Sequence, residues 1–300
     1  MLEETFYSNG KLLFTAEYLV LDGAKALALP TKYGQDLKIE KVTGNHLIWE
    51  SYDENNLLWF HCKFDLPRLK STNNETTITL QNILKEAQKL NPSFLNGFVG
   101  YQIKTKLSFP KNWGLGTSST LINNIANWAK VDAFDLLKNC FGGSGYDIAC
   151  AQNNSPILYQ VTDKKPSIEV VQFNPYFKEQ LYFVYLNKKQ NSKEGIKKYR
   201  TFKGNISVLV NEISQLTTEL LNSLTITDFE NILAEHEKIT ASITRQKPIQ
   251  ELMFSDYFGQ TKSLGAWGGD FILATGNHDT PNYFKIKGFE TVISYQDMIL

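Results

Sequence analysis

Between Leu37 and Phe64 apolar side chains alternate with polar ones, and from Thr76 their spacing becomes helical; this change of period is what most restricts the fold. Leu37 and Ile39, then L-I-W-E-S-Y and L-L-W-F-H-C-K-F, repeat every second residue as half-buried strands do, with a turn at Asp53 to Asn56. From Thr76 to Leu90, Ile83, Leu84, Ala87 and Leu90 share one helical face, and Asn91-Pro92 is the stop. Residues 11–31 read as two or three strands, because Asp22-Gly23 between apolar runs is a hairpin signal. G-F-V-G-Y-Q-I-K-T-K-L returns to strand, before helices at L-I-N-N-I-A-N-W-A and around Phe134 to Leu137. Strands are expected at Ile157 to Gln160 and Leu181 to Leu186, with a polar turn at Asp163 to Pro166. Helical patterns then lie around Ile196, from Val208 to Leu221 and from Phe229 to Arg245, and the chain closes with F-I-L-A-T and two short strands. Strands with interspersed helices followed by helices with few strands predict an α+β protein of two layers rather than a doubly wound sheet. The domain boundary is expected near residue 170, giving parts 1–170 and 171–300.

The composition restricts function more than fold. Of 300 residues 42% are apolar and 21% charged, and Lys+Arg equals Asp+Glu at 31 each, so no basic field exists to hold nucleic acid or a membrane surface. An anion would have to be held locally. Cys62, Cys140 and Cys150 lack metal-type spacing, and their odd number argues against a disulfide framework. M-L-E-E-T-F-Y lacks the order of a signal peptide, and no apolar run is long enough to span a bilayer, so a cytoplasmic protein is expected.

Four clusters could carry chemistry. In N-W-G-L-G-T-S-S-T, Asn112 to Thr120, glycines precede a helix whose first N–H groups suit a phosphate; alternatively Thr117 or Ser118 is simply its N-cap. It is neither a Walker A loop, lacking G-K-[ST], nor a Rossmann fingerprint. In F-G-G-S-G-Y-D-I-A-C-A, Asp147 is either a loop-mouth acid or a helix cap. K-S-L-G-A-W-G-G-D, Lys262 to Asp270, is a glycine-rich loop or a bulged turn before a strand, and Asn9-Gly10-Lys11 a turn followed by a lysine. His236, among Glu235, Glu237 and Lys238, reads as part of a solvated helix face, and His278 as a surface-loop histidine.

In this order the clusters resemble the motifs of the GHMP small-molecule kinases, the superfamily of galactokinase, homoserine kinase, mevalonate kinase and phosphomevalonate kinase. G-K-L-L-F-T-A-E-Y-L-V-L-D-G-A-K-A-L-A is similar to the first motif, P-K-N-W-G-L-G-T-S-S-T to the second and K-S-L-G-A-W-G-G-D to the third, spanning Gly10 to Asp270. The Gly-Gly-Asp ending and G-S-G-Y-D-I-A resemble the phosphomevalonate kinase branch, and G-Y-D-I-A a group of bacterial homologues named for it. The resemblance implies a two-domain α+β fold with a ferredoxin-like C-terminal domain, and an active site in the cleft between the two. It implies that Pro110 and the loop Gly114, Leu115, Gly116, Thr117, Ser118 and Ser119 hold ATP, with Ser118 helping to hold Mg2+. Asp147 matches the catalytic acid, and Lys11 a lysine that keeps it ionised and offsets charge on the transferred phosphoryl group. Glu17, Tyr18, Tyr146, Gly265, Ala266 and Gly268 would line the acceptor site, and Ser192, at the end of K-K-Q-N-S, matches a polar acceptor-binding segment.

Three positions depart from the pattern. Trp267 stands where the family has glycine, so that its indole would narrow, stack in or block the acceptor site. No Glu precedes Gly142 where some relatives hold magnesium, Asp132 and Asp135 being the only nearby acids. Thr117 and Ser119-Thr120 replace the usual Ser and Ala-Ala. The expected function is ATP-dependent phosphorylation of a small metabolite, phosphomevalonate or mevalonate foremost, with a phosphorylation-coupled decarboxylase as a lesser enzyme reading. The alternative is a non-catalytic binder of a metabolite or nucleotide.

Overall fold

The computed structural model describes residues 3–70, 74–97, 99–163, 165–190 and 192–300, the side chains of Ser192 and Lys193 apart. The chain forms two compact units, one of residues 1–10, 33–111 and 115–152, the other of 11–32, 112–114 and 153–300. Strands β1 (Glu3–Leu13) and β2 (Ala26–Val42) contribute residues to both.

In the first unit follow β3 (His46–Tyr52), β4 (Leu58–Asp65), α1 (Glu75–Leu90), β5 (Gly100–Leu107), α2 (Thr117–Ala129), α3 (Ala133–Cys140) and α4 (Tyr146–Gln152). The strands lie in the order β4-β3-β5-β2, β3 parallel to β5 and the other two pairings antiparallel. Alternation does what the sequence demands: Leu37, Ile39, Leu47, Trp49 and Ile103 point into one core, and Leu80, Ile83, Leu84 and Ala87 of α1 meet them with Ile122, Ile125 and Ile148. Burying each large side chain of this set contributes about 1.5–3 kcal/mol. Asn74 caps α1 by accepting the Thr77 N–H at 2.8 Å, and Asp132 caps α3 by accepting from Phe134 and Asp135.

The second unit begins with a 3-10 turn, Leu19–Asp22, then β6 (Ile157–Thr162) and β7 (Lys165–Val170), an antiparallel pair of which β6 also joins Ala26–Ala28 of β2. There follow β8 (Leu181–Tyr185), α5 (Ser192–Tyr199), α6 (Ile206–Leu221), α7 (Ile226–Thr244), α8 (Ile249–Met253), β9 (Thr261–Ser263), β10 (Phe271–Thr275), α9 (Thr280–Ile286), β11 (Val292–Ser294) and α10 (Tyr295–Met298). The sheet order β11-β8-β10-β9, antiparallel throughout, is the 4-1-3-2 arrangement of a ferredoxin-like split βαβ domain. Val184, Ile272 and Ala274 pack on Phe254, Phe284 and Phe289.

Several expectations are corrected. Asp22-Gly23 is no hairpin: Ala16 and Tyr18 take φ of 66° and 63°, breaking the extended path, and Gly23 closes the 3-10 turn. Asn9-Gly10 is not a turn, since β1 runs through it. Lys165 and Pro166 belong to β7, an exposed strand without an apolar face to mark it, while Lys164 lies outside the described residues. The close of the chain holds α9, whose seven residues bury only Thr280 and Phe284, too little for a helical period to register. Most consequentially, His236 and Glu237 are not on a solvated face but fully enclosed on the inner side of α7. His278, by contrast, is exposed, as expected.

All three cysteines are free, and burial pushes the Cys62 thiol up to about 12 and that of Cys140 up to about 11, which keeps both inert. Among the described residues no helix is long and apolar enough to cross a membrane.

Candidate active site

The glycine-rich segment before α2 is built from the backbone outward. Leu115 is fully buried and anchors it. Gly116 is the N-cap, with φ 94° and ψ 39°, and no side chain caps the helix. Neither Thr117 nor Ser118 is therefore the N-cap, the alternative that the sequence left open. The hydroxyls that follow have divided roles. Ser119 is buried and donates to Gly116 O at 2.8 Å; Thr120 is buried and donates to Gln35 Oε1 at 2.7 Å; Ser118 faces outward. The start of α2 thus combines uncapped N–H groups, the positive end of the helix dipole and one exposed hydroxyl.

A buried polar network fixes α2 in place. Ser8 Oγ donates to Asn124 Oδ1 at 2.7 Å, Asn123 Nδ2 to Ser8 Oγ at 2.9 Å and Asn124 Nδ2 to Gln35 O at 3.0 Å. Gln152, the last residue of α4, donates to Asn123 Oδ1 at 2.9 Å, so α4 packs on α2. Asp147 and Tyr146, both half-buried, stand in the first turn of α4 after a loop in which Gly142, Gly143 and Gly145 all have positive φ. Asp132, occupied as the α3 cap, and Asp135 lie on the first turn of the neighbouring helix.

In the second unit Lys11 extends from β1 and donates to Gly114 O at 2.9 Å. Gly114 can only be glycine: a Cβ there would lie 2.5 Å from Cγ and Oδ2 of Asp270. Tyr185 donates its hydroxyl to Asn112 O at 3.1 Å, and Trp113 meets Phe271 edge-on at 5.4 Å. The third glycine loop, 264–270, runs beside the segment 187–190: Gln190 Nε2 donates to Trp267 O at 2.7 Å, and Gly268 faces Gln190 and Gln246. Gly265 takes φ 63° and Ala266 is nearly buried. Ser192 begins α5, its side chain outside the described residues.

Glu17 and Tyr18 point differently. Tyr18 stacks on Tyr199 at 5.9 Å and its ring abuts Gly195. Glu17 has no exposed surface; Oε1 forms a buried ion pair with Lys262, and Oε2 lies 3.5 Å from His236 Nε2. That nitrogen accepts the Ala16 N–H at 2.9 Å, so the ring is neutral with its proton on Nδ1. Burial, assisted by the Lys262 charge, holds His236 well below its usual range. Burial raises Glu17, although Lys262 pulls it back. Glu237 Oε1 accepts the Ser263 N–H at 3.2 Å, and burial pushes this acid up to about 8 against the pull of Lys262. The Lys262–Glu17 ion pair is thus enclosed beside a neutral imidazole and an acid, Glu237, that burial keeps protonated at neutral pH. Trp267, 1% exposed, turns its indole inward beside Glu237, so the side chain that departs from the glycine pattern is core rather than pocket lining. Sequence reasoning missed His236 and Glu237 because their charges read as surface, and Lys262 because it read only as the start of the third glycine motif.

Structures of known proteins share this architecture. Mevalonate kinase from Methanococcus jannaschii superposes with a TM-score of 0.72 at 14% identity over 97% of each chain. Phosphomevalonate kinase from Streptococcus pneumoniae, in complex with phosphomevalonate and AMPPNP, gives 0.70 at 16% identity over 97% of this chain and 99% of that one. Galactokinase from Lactococcus lactis, complexed with galactose, gives 0.66 at 13% identity over 97% and 92%. No family model matches the sequence, and no curated protein matches it. The likeness is one of architecture at low identity, and it extends over nearly the whole chain: this protein has the fold of the GHMP small-molecule kinases.

Proposed function

We propose that the chain is an ATP- and magnesium-dependent phosphotransferase acting on a small metabolite, with mevalonate or phosphomevalonate as the first acceptors to test. The observation that carries this reading is the start of α2, where no side chain caps the helix and its first N–H groups remain available for a phosphate. Gly114 to Ser119, with Pro110 before them, are the residues that would hold the triphosphate. Ser118, exposed and without a capping role, would help hold a magnesium ion, which would neutralise charge on the phosphates. The packing of α4 on α2 supports Asp147 as the acid that orients the acceptor and takes its proton as the new P–O bond forms and the bond to ADP breaks. Lys11, bonded to Gly114 O, brings a positive charge to the entrance of the loop. Tyr18, Tyr146, Ser192, Gly265, Ala266 and Gly268 are assigned to the acceptor, and Glu17 serves it from behind by fixing Lys262.

The neighbours named above act on mevalonate, phosphomevalonate and galactose by their descriptions, so sugars belong in the acceptor panel too. ATP consumption is to be followed across hydroxy acids, phosphorylated hydroxy acids and sugars. Transfer to one acceptor, falling about 10³-fold in Asp147→Asn with an unchanged melting temperature, is the expected result. Full activity of Asp147→Asn would refute the assigned mechanism. MgATP binding, seen in tryptophan fluorescence, without turnover on any acceptor would favour a binder.

A further inference from the structure

Four stretches that stand apart in sequence meet at one carboxylate. Asp270, the last residue of the third glycine loop, has φ 53°, a left-handed conformation that a non-glycine residue keeps only where its surroundings impose it. Those surroundings are visible. Its N–H donates to Lys188 O at 2.7 Å, its carbonyl accepts the Leu186 N–H at 2.8 Å, and its Oδ1 accepts the Gln190 N–H at 3.0 Å. Backbone and side chain are thereby aimed together, and the carboxylate comes to rest against Gly114, in the space a Cβ would need. Lys11 donates to the carbonyl of that same glycine. Burial raises the proton affinity of Asp270, while the Gln190 N–H, Lys11 and Lys189 all lower it; the nearby Tyr185 hydroxyl is made harder to ionise by burial first and then by the Asp270 charge.

We propose that Asp270 is a positioning residue: its carboxylate holds the Lys11 ammonium and the Gly114 peptide at the entrance of the phosphate loop without itself touching the transferred group. The role rests on the phosphotransferase reading. A lysine side chain is long and rotamer-rich, and the Gly114 carbonyl that accepts from its ammonium, with the Asp270 charge nearby, removes much of that freedom before a nucleotide arrives. The arrangement also explains why position 114 is a glycine: no side chain can be added there without displacing the Asp270 carboxylate.

Asp270→Asn in the full chain tests this, because the amide oxygen can still accept the Gln190 N–H while the charge is lost. Two readouts separate positioning from folding. The first is competitive acetylation of Lys11 at pH 8, read by mass spectrometry; loss of the neighbouring negative charge favours the neutral amine and should raise its reactivity several-fold. The second is MgATP affinity, expected to weaken about tenfold, equivalent to about 1.4 kcal/mol. Lys11 reactivity and MgATP affinity both within twofold of the parent would overturn the proposal. If Asp270→Asn does not fold, Gly114→Ala decides by Lys11 reactivity alone, since its Cβ displaces the carboxylate while Gly114 itself belongs to the phosphate loop: raised reactivity supports the role, and parental reactivity overturns it. A parent protein that binds no MgATP overturns the phosphotransferase reading instead, and with it the catalytic purpose; Lys11 labelling then still tells whether Asp270 holds the amine.

Discussion

The start of α2 and the cluster around Glu17 treat polar groups in opposite ways. At α2 the helix end is left uncapped and Ser118 faces outward, so its polar groups are satisfied by solvent or by whatever binds. Around Glu17 an acid, a lysine, a histidine and a second acid are sealed from solvent, and their partners are one another and the backbone N–H groups of Ala16 and Ser263. Both lie next to glycine-rich segments that look alike on paper. The comparison teaches that the first segment leaves its helix end without a side-chain partner, whereas the third rests on a buried ion pair that the chain supplies itself.

Three tests can break the comparison. The largest effect should come from Lys262→Met, which strands the Glu17 carboxylate in the core; a loss of about 3–5 kcal/mol in urea unfolding is expected, partly recovered in the double variant Glu17→Gln, Lys262→Met. An unchanged urea midpoint would mean that the pair is not sealed. Next is the dependence of stability on pH. Glu237 keeps its proton in the folded state up to about 8 but loses it near 4.5 when unfolded, so between these values the folded state binds the extra proton. Stability should therefore fall as pH rises through that window, by about 1 kcal/mol per unit for this one group, and level off above it. Glu237→Gln should flatten that slope, as followed by thermal unfolding at several pH values; a slope unaltered by the substitution would place the proton elsewhere. The smallest effect belongs to the open end: Ser118→Ala should leave unfolding within about 0.5 kcal/mol of the parent. It should nevertheless weaken the magnesium dependence of nucleotide binding a few-fold, measured by titration. A stability loss comparable to that of Lys262→Met would erase the distinction.

Much of the first unit was legible because its signals are local. Trp49 and Leu47 alternate with polar neighbours, and Ile83, Leu84 and Ala87 repeat at helical spacing, so each strand or helix announces its buried face within a few residues. The glycine loops were legible for a related reason, since a left-handed backbone must be written at its own position. Glu17 and Lys262 were not, because they lie 245 residues apart and nothing near either one names the other. His236 misled for the same reason: its neighbours Glu235 and Lys238 are charged and exposed, but the partners that decide its fate, Ala16 and Glu17, come from the far end of the sequence. Asp22-Gly23 failed because a hairpin signal cannot report that Ala16 and Tyr18 have already bent the chain. β7 offers no apolar alternation at all, and only its pairing with β6 makes it a strand.

A helix held by aliphatic contacts alone can creep about its axis, since one methyl group substitutes for another at little cost. The asparagines of α2 forbid this. Any rotation would pull Asn123 from Ser8 and Gln152, and Asn124 from Ser8 and the Gln35 carbonyl, stranding buried donors at about 1–3 kcal/mol apiece. The helix is keyed rather than greased, and its leading amides point in one direction whether or not an anion has arrived.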